Sequence, residues 1–163
     1  MKKLYSIFIL IVLTSLVSAE EKTPSLGTLP HYSTKFDPKA NPNADLSIAL
    51  KKAKTEKKNV LLVVGGNWCK WCGTFDNFLD DHKSVAKDFY TTFEVVRVYY
   101  GNGISKAGQK LLKQFPPLKG TPHFYILDSN AKLLESIDTA FLERGYGYNT
   151  KKVITWIAKH KKS

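Results

Sequence analysis

Two cysteines stand three positions apart in "GGNWCKWCGTFD", residues 65–76, and they are the only two in the chain. A tryptophan precedes each, Trp68 before Cys69 and Trp71 before Cys72. Such a pair can be half of a metal site, a haem anchor, a structural staple or a redox couple. Haem attachment needs a histidine directly after the second cysteine, and Gly73 stands there. Structural zinc wants four Cys or His ligands, whereas His31, His82, His123 and His160 are scattered and form no second half-site. His123 follows Pro122 and is weighed as a residue that tunes Cys69 or completes a copper site, against the more frequent fate of simple packing. A disulfide across so short a loop removes little chain entropy, so stapling is a poor use of the pair. Disulfide exchange needs one reactive thiolate and a second thiol close by to resolve the mixed disulfide. The spacing meets both needs.

The start of the chain bears on the compartment. "MKKLYSIFILIVLTSLVSAEE" has a charged beginning at Lys2 and Lys3, an apolar stretch from Leu4 to Val17, and small residues at Val17-Ser18-Ala19. This is the pattern of a signal peptide, residues 1–19, cleaved after Ala19. The apolar run is short for a membrane span of about 20 residues. Export to a periplasmic or secreted location, where disulfides persist, is the expectation. What remains is long enough for one domain with its own core. The formal charge of +11 is carried by dispersed lysines on helix faces, with no aromatic-rich basic groove. Nucleic acid is therefore set aside as a partner.

The elements that must position the cysteines follow from periodicity and punctuation. Residues 20–43 hold four prolines and little periodicity, and read as an extended arm. "ADLSIALKKAKTEKK" places Leu46, Ala49, Leu50 and Ala53 at helical spacing, with Asn43 or Asp45 as the N-cap. "NVLLVV" (59–64) is apolar after Asn59, as a central buried strand is, and Gly65-Gly66 ends it. A helix starts near Cys69 and runs, with a break near His82, to Tyr90. "FEVVRVYY" (93–100) is a second strand, and Ser105 to Phe115 a helix stopped by Pro116-Pro117. "HFYILD" and "KLLESID" make an antiparallel hairpin through Ser129-Asn130. A last helix, "TKKVITWIAKHKK", turns Val153, Ile154, Trp156 and Ile157 inward. The order predicts a three-layer α/β domain over residues 44–163. The pattern "RGYGYN" (144–149) suggests no chemistry.

On "WCKWC" after an apolar strand, "GTPH" (120–123) before a hairpin, and this order of elements, the chain resembles the thioredoxin superfamily over roughly residues 36–160. Within it, the chain is similar to exported bacterial members with a WCxWC motif and a Pro-rich lead-in. The resemblance implies a thioredoxin-like fold, a central mixed sheet flanked by helices. It also implies thiol–disulfide exchange with protein substrates. At the helix N-terminus, free amides and the dipole favour a thiolate at Cys69, with Lys70 adding positive charge. Cys69 is then the attacking thiol and Cys72 the resolving one. Trp68 and Trp71 would shape the substrate surface, and Thr121 and a cis Pro122 would offer backbone bonds to an extended substrate. No cofactor is implied beyond the Cys69–Cys72 couple. The expected partners are exported proteins with disulfides or thiols, and a membrane thiol that recharges a monomeric reductase. A disulfide oxidase or isomerase, and a non-catalytic module that binds client peptides or copper, are the alternatives. Two departures stand out. Val63 replaces the buried acid found in thioredoxins six residues before the first cysteine, and Gly73 replaces a frequent Lys.

Overall fold

In the computed structural model, which describes residues 28–162, the apolar runs meet in one four-stranded sheet. The expected signal peptide and residues 20–27 of the arm lie outside the described residues. The described chain enters through one helical turn, α1 (His31–Thr34), and then α2 (Pro42–Thr55). Helix α2 begins earlier than the sequence suggests. Its N-cap is Asn41 rather than Asn43 or Asp45, and the Asn41 side chain accepts from the amides of Asn43 and Ala44. Pro42 takes the first helical position, where a missing N–H loses no bond.

Strand β1 (Asn59–Gly65) is buried along its whole length, as a strand must be when neighbours and helices cover it on every side. After it come α3 (Lys70–Asp81) and α4 (Lys83–Thr92), separated at His82, whose φ of −120° and ψ of 71° interrupt the helix at the expected place. Strand β2 (Phe93–Tyr99) pairs parallel with β1, Val63 opposite Arg97. Helix α5 (Lys106–Leu112) ends before Phe115, its Ser105 side chain capping Gly108. Strands β3 (His123–Leu127) and β4 (Leu133–Asp138) are antiparallel, and β3 also pairs antiparallel with β1. The order β2-β1-β3-β4 is a mixed sheet flanked by helices, a thioredoxin-like α/β fold.

Beyond β4 the chain makes a 3-10 turn (Thr139–Leu142) and a small hairpin of β5 (Glu143–Arg144) and β6 (Gly147–Tyr148). Gly145, at φ 59°, supplies the left-handed residue of that turn. Helix α6 (Thr150–Lys159) buries Val153, Trp156 and Ile157. Ile154, expected inside, is 45 % exposed. The helical period explains it: 153, 156 and 157 share one face, and 154 is turned about 100° away from 153.

Alternation along the strands splits the core in two. Leu61, Val63, Val95, Phe124 and Ile126 face α3, α4 and α6. Val60, Leu62, Val64, Val96, Val98, Tyr125 and Leu127 face α2 and α5. The N-terminal segment closes the open edge of β2. Ser33 Oγ donates to Val95 O at 2.5 Å, and Tyr32 donates to Glu94 Oε1 at 2.6 Å. The Ser33 bond satisfies a backbone group of the edge that would otherwise invite another strand.

Candidate functional site: a disulfide between two unlike walls

Strand β1 delivers the chain to Gly65, and four residues later Cys69 forms the N-cap of α3. Its Sγ accepts from the Cys72 amide at 3.2 Å, an amide of the first turn shared with Cys69 O at 3.1 Å. Cys69 and Cys72 form a disulfide, with Cα atoms 5.3 Å apart. Both residues are enclosed, at 6 % and 3 % exposure, and what encloses them differs.

Behind Cys72 the wall is closed. A Cβ on Gly65 would come within 2.5 Å of Cys72 Sγ and 3.3 Å of Phe36 Cζ, so only glycine permits this close approach. Phe36 thus packs against the strand end beside the Cys72 sulfur, and its carbonyl accepts from Asn67 Nδ2 at 3.0 Å. Val63 is buried in the same cluster as Cys72. Its cross-strand partner Arg97 carries the charge of this region. The Arg97 guanidinium lies 5.1 Å from the Phe36 ring centre, donates through Nε to Ser33 O at 2.8 Å, and donates through Nη2 to Asp76 Oδ1 at 2.5 Å. Asp76 sits one turn beyond Cys72 on the same side of α3. Phe36, Arg97 and Asp76 were not singled out in the sequence. A cation at an inward position of an apolar strand, and an acid four residues after Cys72, were the available signals.

On the other side the wall is open. Trp68 is 56 % exposed, and its Nε1 donates to Tyr100 O at 3.1 Å. The indole lies over Gly66 and Gly101, where an added Cβ would sit 2.3 Å and 2.9 Å from Nε1. Lys70 is exposed on the first turn of α3. Trp71 is half-buried, edge-on to Tyr148 with ring centres 5.8 Å apart. The Tyr148 hydroxyl meets Trp71 O and Thr139 Oγ1, both at 3.4 Å, and Thr139 donates to Pro122 O at 3.1 Å. Burial pushes the Tyr148 phenol well above its usual range, so it stays a neutral donor. The "RGYGYN" segment, chemically mute in the sequence, is thus a strap between Trp71 and Pro122.

The Thr121–Pro122 peptide is cis. Because Val64 pairs with His123, Gly65 and Pro122 stand at one end of the sheet, and the loop 119–122 borders the same end as the disulfide. His123 points the other way. It faces α5, its ring tilted against Tyr125 with centres 4.6 Å apart, and its Nε2 lies 3.0 Å from Ser136 Oγ. Its Nδ1 accepts from the Lys119 amide at 3.5 Å. Burial lowers the His123 pKa, with Asp138 opposing and Lys119 assisting. The side chain fastens the proline loop and makes no contact with the cysteines. Among the described residues no group of three or more His, Cys, Asp or Glu comes together. No helix among them is long and apolar enough to cross a membrane.

A disulfide-bonded CxxC at a strand–helix junction, on a mixed sheet beside a cis-proline loop, defines a thioredoxin-fold protein whose site can exchange disulfides. The family model for thioredoxin-like proteins matches residues 41–129, more than half of the chain, and the chain belongs to that family. Among solved structures, a protein described as the disulphide isomerase of Xylella fastidiosa Temecula1 is 26% identical. The match covers 80% of this chain and 95% of that one, with a TM-score of 0.62. The C-terminal domain of DsbD from Neisseria meningitidis shares the fold in its oxidised and reduced forms. Identities are 21% and 22%, and both matches have a TM-score of 0.53, covering 73% of this chain and 96% of the domain. No curated protein matches.

Proposed function

We propose that the protein is an exported thiol–disulfide oxidoreductase that reduces disulfides in other proteins. The observation that carries this reading is the Cys69–Cys72 disulfide at the N-terminus of α3, with one sulfur aligned on a backbone amide and the other shielded. In the reduced protein, the Cys69 thiolate attacks a substrate disulfide. A bond forms between Cys69 Sγ and one substrate sulfur, and the other substrate sulfur leaves as a thiolate. Cys72 then loses its proton and attacks Cys69 Sγ. The second substrate thiolate leaves, and the Cys69–Cys72 disulfide seen here is the product. Two electrons have passed to the substrate, and a thiol reductant at the membrane restores them.

Val63 cannot accept the proton of Cys72. Asp76 takes that role in this proposal: it lies one helical turn from Cys72, and Arg97 holds one of its oxygens. Thr121, Pro122, Trp68 and Trp71 border the substrate strand. The apolar leader at residues 1–19 and the dependence on a persistent disulfide support export. Isomerisation is the second reading, favoured by the description of the Xylella protein, and it uses the same two cysteines.

The test is trapping. Cys72→Ala should accumulate mixed disulfides with exported proteins on diagonal gels, and Cys69→Ala should not. Equal trapping by both variants, or none by either, would remove the roles assigned here.

A further inference from the structure

At the disulfide end of the sheet, on the face covered by α5, lies a hollow of about 570 Å³. Its walls are Tyr100, Ile104, Leu112, Phe115 and Leu118, with Pro116 and Pro117 at the rim. One end is Tyr100, whose carbonyl holds the Trp68 indole. The other end is the loop that leads to Thr121 and Pro122. The wall is braced: Tyr125 donates to Pro116 O at 2.5 Å, and Phe115 stacks on Tyr125 with ring centres 4.8 Å apart. It is a standing groove rather than a gap that side chains would close.

Charge distinguishes it further. From Val95 to Leu127 the sequence holds no Asp or Glu, while Arg97, Lys106, Lys110, Lys113 and Lys119 fall in that stretch. The four lysines are exposed, and Lys113 lines the groove. Helix α3 carries Asp76, Asp80 and Asp81, of which Asp76 is paired with Arg97 and Asp80 with Lys83. The hollow beside α6 is also rimmed by lysines, but there Lys152 donates to the carbonyls of Phe141 and Glu143, and Lys159 pairs with Glu135.

We infer that this groove is a substrate subsite that takes a bulky apolar side chain of the polypeptide joined to Cys69, with acidic residues beside it. The inference rests on the exchange reading and names its substrate class. The apolar walls supply burial, and the lysines select the flanking charge. A substrate lying along Trp68 and Tyr100 reaches the groove directly, because Tyr100 lines it.

The experiment uses disulfide-linked peptide dimers, each peptide with one cysteine and a phenylalanine placed at successive positions from it. Flanking residues are either aspartates or lysines, and dithiothreitol recharges the enzyme. The expected result is a KM about tenfold lower for the aspartate peptides at one phenylalanine position, shrinking with added salt. Lys113→Glu should reverse the charge preference, and Leu118→Ser should erase the effect of phenylalanine position. Hydroxyethyl disulfide, which is too small to reach the groove, reports exchange alone. Turnover of this small disulfide with no discrimination among the peptides would overturn the groove. Failure on the small disulfide itself would overturn the exchange reading.

Discussion

The two sides of one disulfide are built from opposite materials. Behind Cys72, Phe36, Val63 and the Arg97–Asp76 pair make a closed wall. In front, Trp68 stands in solvent over glycines, and the groove beyond Tyr100 is apolar with a cationic rim. The rear is suited to handling a proton and the front to holding a polypeptide. The rear wall also draws on Ser33 and Phe36, and the Trp71 strap on Tyr148, all outside the matched residues 41–129. Family membership therefore accounts for the cysteines and the proline loop, and flanking segments finish their surroundings.

The largest effect should come from opening the rear. Phe36→Ala removes a buried ring beside Cys72 and the partner of the Arg97 guanidinium, at a cost of about 3 kcal/mol in urea unfolding. In the reduced protein it should also speed alkylation of Cys72 relative to Cys69. Lost stability with unchanged alkylation would make Phe36 a core residue only.

Asp76→Asn should sharpen the contrast between proton handling and binding. Without this carboxylate, release of a mixed disulfide should slow roughly tenfold at pH 7. Its rate should then climb as pH approaches the ordinary thiol value of about 8.5. Peptide KM should stay as it was. Equal pH profiles for the two proteins in single-turnover insulin reduction would show that another group takes the proton.

Much of this arrangement was legible in the sequence. The unbroken apolar run 60–64 placed the strand, and the cysteine spacing placed the helix that follows it. The rear wall was not legible, because Phe36 sits in a proline-rich stretch without periodicity and meets Cys72 only through tertiary packing. Asn41 was missed as a cap because Pro42 read as part of the arm, although proline suits a first helical position. Arg97 broke the apolar pattern of its strand, yet its partner Asp76 lies on another element. Tyr148 gave a signal in "RGYGYN", whose meaning came only when the hairpin met Trp71. His123 shows how adjacency in sequence misleads: one step from Pro122, alternation turns it to the opposite face of the sheet.

The smallest effect concerns that histidine. Its pKa is lowered in the fold, so the unfolded chain binds more protons there. The stability it contributes is present above the free value of about 6.5 and is lost as pH falls through the lowered one. The urea midpoint should therefore drop on acidification below that value. His123→Gln, with a donor and an acceptor but no titration, should show a shallower drop. Equal slopes would assign the acid sensitivity elsewhere.

The direction of electron flow is the central claim, and the equilibrium of the Cys69–Cys72 couple tests it most directly. The purified protein would be poised in defined thiol–disulfide buffers and its two thiols counted by alkylation and mass. A reductase should give a potential close to thioredoxin's, about −270 mV, whereas a value near −120 mV would mark a disulfide donor and contradict the account.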